Sequence, residues 1–204
     1  IDEVLEMEIV GKNQDKLAII DENYNNGKAT AAISFITYGQ TKTKKPLNTT
    51  KKEYDWIQEG EGGLNDGGYI NSDAREWLNN ELLAALPETI RMNIKPVTKL
   101  ADLGYYYYMN VDKNPVACED SIWIPSAAEL GGDSLSYVIK GQGNPYPLFT
   151  TDESRKKSAN GSSTYITRSS DISFYHHYAA VDSMGNWTRL SPGTYNGLIF
   201  GFCL

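Results

Sequence analysis

Residues 67–80 read GGYINSDAREWLNN, and the pattern of this stretch predicts the main helix of the fold. The apolar residues that follow Ser72 recur at helical spacing, with charged and amide side chains between them. Ser72 or Asp73 can accept a hydrogen bond from the first helical turn, and Asp73 with Glu76 has the spacing of a capping box. The sequence therefore predicts a helix over residues 73–86.

The remainder of the chain predicts one further helix and many short strands. Pro87 suits the first turn of a helix over residues 88–94, which Pro96 ends. Short apolar or alternating runs separated by Gly, Pro and Asn are typical of antiparallel strands. Such runs predict strands over residues 4–10, 17–20, 30–37, 97–100, 121–124, 135–139, 164–168, 172–181, 187–190 and 198–203. We predict an α+β fold in a single domain over residues 1–204, with a mostly antiparallel sheet, two helices and long irregular loops.

Composition and charge exclude two classes of partner. The chain has 204 residues and a net charge of −7, and its longest basic run, residues 42–52, is interrupted by Pro46 and Asn48. Because nucleic-acid binding depends on clustered Lys and Arg, no nucleic-acid partner is expected. No apolar run approaches the roughly 20 residues of a membrane-spanning helix, so this chain is not expected to insert into a membrane.

Groups that support catalysis are few. The only histidines, His176 and His177, are adjacent in a predicted strand, so their rings would lie on opposite faces with no group to orient them. Ser126 has capping spacing to Glu129 and matches no nucleophile motif. The acidic run over residues 59–66 could offer oxygen ligands to calcium, but it lacks the periodicity of an EF-hand. We therefore expect no enzyme activity, no cofactor and no metal site, with calcium binding left open.

Tyrosine-rich and Gly-turn segments are the candidates for ligand recognition. Residues 105–108 are four consecutive tyrosines, which in a strand would alternate between two faces. An exposed patch could stack on sugar rings or pack on a partner, and the alternative is that the tyrosines cover the core. A second segment follows a Gly turn and carries an aromatic, an amide and a guanidinium group. The candidate ligand-binding residues are Tyr105, Tyr107, Asn186, Trp187, Arg189 and Tyr195.

Several motifs, taken in order along the chain, resemble a known family. They are GGYINSDAREWLNN at 67–80, LP at 86–87, IKPVTK at 94–99, IWIPSAAEL at 122–130, Arg168-Ser169 and GLIFGFCL at 197–204. The chain resembles an uncharacterised domain family of secreted and surface proteins from Gram-positive gut bacteria, catalogued as a domain of unknown function, and the resemblance covers residues 30–204. One departure is the segment 164–167, where the family usually has a tryptophan.

The resemblance implies an extracellular or cell-surface location, with any leader or anchor outside this chain. It also implies a single α+β domain whose closing strands are similar to those of C-type-lectin-like and sulfatase-modifying-factor-like folds. No catalytic residues are transferred by the resemblance. Structural roles are expected for Arg75, Trp77, Trp123, Ser126, Glu129 and Arg168.

Three functions follow as expectations. The leading one is a non-catalytic extracellular module of adhesion type that binds a glycan or a protein on a cell surface. The alternatives are a structural spacer or assembly module of a larger surface protein, and a glycoside hydrolase. Two carboxylates in one cleft would favour the hydrolase.

Two further expectations concern individual side chains. Trp77 lies on the apolar face of the predicted helix and should be buried, while Arg75 should bind carbonyl groups of the preceding loop or a carboxylate. Cys118 and Cys203 differ in their surroundings, a turn-rich segment against an apolar strand, so two free thiols are expected, with a disulfide as the open alternative.

Overall fold

Short antiparallel strands carry most of the regular structure in the computed structural model, which describes residues 3–49, 65–104, 114–157, 164–174 and 176–204. The strands are β1 (Met7–Lys12), β2 (Ile33–Thr37), β3 (Lys44–Lys45), β4 (Val97–Ala101), β5 (Val116–Asp120), β6 (Ile122–Trp123), β7 (Tyr165–Ser170), β8 (Tyr178–Val181), β9 (Trp187–Leu190), β10 (Asn196–Gly197) and β11 (Gly201–Cys203). The predicted α+β class with mostly antiparallel pairing is confirmed.

Within the described residues these strands form four sheets. The largest has the order β1-β2-β11-β6, so the strand latest in sequence pairs with β2 on one side and β6 on the other. Phe35 and Phe202 face each other across β2 and β11 with their rings stacked 5.5 Å apart. The other sheets are the hairpin β4-β5, the three-stranded β7-β8-β9 and the short ribbon β10-β3.

The main helix, α1, covers residues 73–85 and agrees closely with the predicted range. It consists of Asp73–Trp77, a π-helical turn at Leu78–Leu82, and Leu83–Ala85. The side chain of Ser72 accepts a hydrogen bond from the backbone of Arg75 and so caps the helix, which decides between the two predicted caps, Ser72 and Asp73. The helix α2 spans Glu88–Arg91 and ends before the predicted residue 94, and a short helix that was not predicted, α3, spans Asp152–Arg155.

The inner face of α1 is held by packing and by hydrogen bonds. Trp77 is 6% exposed and Leu78 is fully buried in a core cluster with residues of β5, β6 and β11. Arg75 donates to the Ile70 carbonyl at 2.9 Å and to Asp120 Oδ1 at 2.6 Å. Both expectations for Arg75 and Trp77 are confirmed. One turn later in α1, the Asn79 side chain accepts hydrogen bonds from the backbone N–H groups of Ser121 and Ile122. These bonds fix the helix to the corner between β5 and β6.

Several strand predictions are wrong. Residues 135–139 form turns. The predicted strand over 172–181 begins only at Tyr178, because Asp171 and His177 form backbone hydrogen bonds with His177 and Phe174 that do not belong to a strand ladder. His176 and His177 therefore precede β8 and do not alternate across a strand. The segment around Cys118, predicted as turn-rich, is strand β5, in which Cys118 and Asp120 are buried and Glu119 is exposed.

Both cysteines are free, as expected, and both are buried, which was not expected of Cys118. Cys118 lies in the core cluster beneath α1, and Cys203 lies in a second cluster with Trp123 and Tyr146. Burial raises the pKa of each thiol to about 12, so both are protonated at neutral pH.

The two glycines that open the GGY motif let two backbone segments touch. The Gly67 N–H donates to the Leu103 carbonyl at 2.9 Å. Gly68 has a φ of +60°, and a Cβ atom there would stand 1.9 Å from the Asp102 carbonyl oxygen. No L side chain fits without moving one of the two segments.

We expect Gly68→Ala to destabilise the protein by more than about 3 kcal/mol, because it adds a backbone clash to the cost of a left-handed conformation. Gly27 is a matched control, since its φ is +73° but its nearest neighbour would lie 3.6 Å from an added Cβ atom. Gly27→Ala should cost only about 1–2 kcal/mol. Urea unfolding of both variants measures the difference, and equal losses would contradict the proposed clash.

Candidate functional site

The β3-β10 ribbon and residues 46–49, which follow β3, together form one wall of a cleft beside α1. Asn48 is fully buried, and its side chain accepts a hydrogen bond from the Asp73 backbone at 3.1 Å. Thr49 donates from its backbone and its hydroxyl to Asp73 Oδ2, both at 2.8 Å. Lys45 pairs with Asn196 across the ribbon, which places Tyr195 beside the N-terminal half of α1.

The resulting depression, here called the aromatic cleft, has a volume of about 400 Å³. The Trp77 ring lies at its base with Lys45 Nζ 5.2 Å from the ring centroid. Tyr195 stands at its rim and is 61% exposed. The described lining residues are Lys45, Pro46, Thr49, Asp73, Ala74, Glu76, Trp77, Asn80, Glu81 and Tyr195.

The charged residues that line the aromatic cleft are mostly acidic. Three carboxylates, Asp73, Glu76 and Glu81, line it together with one cation, Lys45. Glu76 and Glu81 are exposed on the outer face of α1. A ligand that carries negative charge would meet repulsion here, whereas hydroxyl, amide and cationic groups would find acceptors.

A second depression, here called the polar cleft, lies on the other side of α1 with a volume of about 570 Å³. Its described lining includes Asn71, Arg75 and Glu119, and it shares Glu76 and Asn80 with the aromatic cleft. Arg75 is already committed to Asp120, Ile70 and Glu119 through three hydrogen bonds. The shared residues form a ridge along α1 between the two clefts.

Beneath the sheets lies a group of four charged side chains, here called the buried ion cluster: Asp15, Lys99, Glu129 and Arg168. Arg168 holds Glu129 through two hydrogen bonds of 2.6 and 3.0 Å. Lys99 Nζ contacts Asp15 Oδ1, lies 3.0 Å from Glu129 Oε1 and lies 2.9 Å from the Tyr146 hydroxyl. Two cations and two anions balance each other, which is the condition for burying charge.

Arg168 is fully buried and also satisfies backbone carbonyls. Its guanidinium group donates to Leu100, Ile124 and Gln142 at 3.0, 2.8 and 3.1 Å. These carbonyls belong to three separate segments, so one side chain ties them together. The expected structural roles extend to Ser126, whose hydroxyl and backbone complete a capping box with Glu129.

The charges of the cluster stabilise one another. Burial alone would raise the pKa of Glu129, but the charges of Arg168 and Lys99 outweigh it and hold that pKa below its ordinary value. Burial alone would lower the pKa of Lys99, but Glu129 and Asp15 outweigh it and raise that pKa. The charged forms are therefore the resting state of the cluster.

The structure separates the candidate ligand-binding residues. Trp187 packs against Gly132 and beneath Arg155, whose guanidinium carbon lies 5.2 Å from its ring. Asn186 closes a turn by bonding Asp182 through its backbone and side chain.

Arg189 pairs with Asp171 and lies 4.0 Å from the Tyr137 ring, away from the described lining of the aromatic cleft. Of the four candidates among the described residues, Tyr195 alone lines that cleft, and Tyr105 and Tyr107 lie outside the described residues. So do residues 59–64 of the acidic run, while Asn65 at its end binds three backbone carbonyls.

Sequence reasoning missed Asp15, Lys99 and the acidic lining of the aromatic cleft. One signal for Lys99 was available, because it falls between Val97 and Ala101 on the inward side of β4. A lysine at an inward strand position needs buried partners. No comparable signal marked Asp15, since its segment has no regular period.

A family model for a domain of unknown function, DUF6273, matches residues 14–198. The chain belongs to this family. The DUF6273 match covers both clefts and all four residues of the buried ion cluster. No curated protein and no solved structure matches the chain, so the C-type-lectin-like relation stays a prediction of the sequence.

The low pKa of Glu129 makes the stability of this DUF6273 domain depend on pH. Its contribution is fully present above the ordinary pKa of 4.5 and is lost as the pH falls through the lower folded-state pKa. Glu129→Gln should lower the free energy of unfolding by about 3–5 kcal/mol at pH 7, because it leaves buried cations in excess. The variant should also lose less stability than the unaltered protein when the pH is lowered. Midpoints of urea unfolding between pH 7 and pH 3 test both expectations. Glu76→Gln, an exposed change on α1, should lose stability at acid pH as the unaltered protein does. A loss in Glu129→Gln as large as that of the unaltered protein would refute the assignment.

Proposed function

We propose that the protein is a non-catalytic binding module that recognises a carbohydrate on a cell surface through the aromatic cleft. The observation that carries the proposal is the position of Tyr195. Its exposed ring faces a helix whose outer side offers an amide and two carboxylates, Asn80, Glu76 and Glu81. An extracellular location is part of the proposal and is supported by the resemblance to domains of secreted and surface proteins.

The cleft supplies the two kinds of contact that a sugar ring needs. A flat exposed ring such as Tyr195 can stack on the C–H face of a pyranose with little loss of conformational entropy. Carboxylates and amides can bind its hydroxyl groups, and Thr49 holds Asp73 in place at the edge. The volume of about 400 Å³ lies within the usual range for small-ligand sites.

The charge of the cleft predicts which sugars bind. With three carboxylates against Lys45, neutral hexoses and N-acetylated amino sugars are favoured over sialylated or sulfated ones. Because the ridge of Glu76 and Asn80 borders both clefts, a chain of several sugars could extend from the aromatic cleft into the polar cleft. Affinity should then rise with chain length.

The acidic lining also favours a second candidate, a glycoside hydrolase. Glycosidases use two carboxylates on either side of the scissile bond, and Glu76 and Glu81 border one cleft on one helix. Release of reducing sugar from a bound oligosaccharide, lost in both Glu76→Gln and Glu81→Gln, would establish this alternative. A binding module leaves its ligand intact.

An array of immobilised neutral, sialylated and sulfated oligosaccharides tests the proposal. We expect binding to neutral members and at least about tenfold weaker binding by Tyr195→Ala, because loss of a stacked ring costs about 1.4 kcal/mol or more. Asn80→Ala should weaken binding as well.

Tyr38 provides a matched control, since it is 60% exposed and lies outside the described lining of the aromatic cleft. Tyr38→Ala should bind like the unaltered protein. Folded protein that binds no member of the array, or that binds equally well without the Tyr195 ring, would overturn the proposal. The first outcome would favour the spacer function.

A further inference from the structure

Lys99 is held in direct contact with a carboxylate inside the core and has more buried partners than a simple ion pair. Its amine contacts one carboxylate, Asp15, and lies 3.0 Å from a second, Glu129. The amine also lies 3.5 Å from the centroid of the Trp123 ring, and Tyr146 stacks against that ring at 5.9 Å. All of these side chains are at least 90% buried.

We infer that Lys99 and Asp15 become joined by an intramolecular isopeptide bond, an amide between Lys99 Nζ and Asp15 Cγ, with Glu129 as the proton carrier. The bond would be a covalent modification site within the buried ion cluster. It is independent of the carbohydrate-binding proposal.

The two oxygens of Asp15 are placed for different roles. Oδ1 contacts the amine, and Oδ2 accepts hydrogen bonds from the Tyr146 hydroxyl at 2.8 Å and from the Ser34 hydroxyl. When the amine adds to Cγ, negative charge develops on the oxygen that becomes the oxyanion. The Tyr146 and Ser34 hydroxyl groups already point at Oδ2, so it is the oxygen that can carry this charge.

The reaction balances without any further reagent. A proton passes from Lys99 Nζ to Asp15 Oδ1, which gives a neutral amine and a neutral carboxylic acid. The nitrogen lone pair then forms a bond to Cγ, and the electron pair of the C–Oδ2 double bond moves to Oδ2. Nitrogen becomes strongly acidic in this intermediate, so even a carboxylate paired with Arg168 can accept its proton.

Glu129 then delivers that proton to Oδ1 as the C–Oδ1 bond breaks. The double bond to Oδ2 re-forms, one water molecule leaves and the amide remains. The new amide N–H lies where the amine now stands, 3.0 Å from Glu129 Oε1, and can donate to it. The product keeps charge balance, because Glu129 still faces Arg168.

Burial favours both the rate and the product. Reacting groups held in contact reach effective molarities of about 10⁵–10⁸ M, and a site that excludes water disfavours hydrolysis of the amide. Condensation also removes two of the four buried charges. The charges around them raise the pKa of Lys99 and lower that of Asp15, so the neutral pair is a minor form and the bond should form slowly after folding.

The other buried or half-buried ion pairs near the described core lack this arrangement. Arg75 and Arg168 carry guanidinium groups, which are poor nucleophiles. Lys157 pairs with Glu8, and the other described contacts of its amine are with the rings of Tyr38 and Phe149. The Lys157–Glu8 pair therefore serves as an internal control in the same molecule.

Intact-mass measurement of the purified protein, denatured after folding, tests the inference. We expect a mass lower than that of the sequence by one water molecule, and a proteolytic fragment that joins the peptides containing Asp15 and Lys99. Lys157→Met should keep the water loss, whereas Asp15→Ala should show its full sequence mass.

Tyr146→Phe should slow the appearance of the lighter species at least about tenfold during refolding, because it removes one of the two hydroxyl groups that donate to Oδ2. The mass of the unaltered protein decides the question even if a variant fails to fold. Full sequence mass in folded protein after prolonged incubation would overturn the inference, and so would a water loss that maps to other residues.

Discussion

The rest of the structure depends on the ion pairs that the Glu129 carboxylate makes. It lies between Arg168 and Lys99, and so links β7, β4 and the turn that it caps with Ser126. The strands themselves are short, and several carry polar residues into the interior. In β7 all six residues from Tyr165 to Ser170 are buried, and four of them are polar or charged. Such a strand is stable only where each polar group finds a partner. Arg168 binds Glu129, and the hydroxyl groups of Thr167, Ser169 and Ser170 donate to the Ala179 carbonyl, Gln142 and Asp102.

A second constraint is the attachment of α1 to the corner between β5 and β6 by hydrogen bonds and packing. Arg75 and Asn79 point inward one turn apart, and Trp77 and Leu78 fill the space between the helix and the sheet. The inward-facing residues of the motif make these contacts. The outer side of the helix, with Glu76 and Asn80, borders the aromatic cleft and is left for recognition.

How far the sequence predicted this arrangement depends on the range of each interaction. The helix over residues 73–86, its Ser72 cap and the capping box at Ser126 were predicted, because each arises from contacts within about one turn. The ion pair between Lys99 and Asp15 joins residues 84 positions apart in sequence. The spacing of apolar residues within one element does not indicate a contact of such long range. Residues 172–181 were predicted as a strand because the run is apolar and aromatic. Tertiary hydrogen bonds from Asn65 instead bind the carbonyls of Asp171, Phe174 and His177, and the strand begins only at Tyr178.

The position of β11 has a consequence for the synthesis of the chain on the ribosome. Residues 201–203 occupy the interior of the largest sheet, between β2 and β6, although they follow every other described strand in sequence. The edge of β2 stays open while the intervening residues are translated, which takes on the order of ten seconds at typical rates. During that interval the nascent chain presents unpaired strand edges instead of a finished sheet. A chain in this state is open to chaperones and to any translocation machinery that accepts unfolded substrates, and it completes its fold only when its last strand emerges.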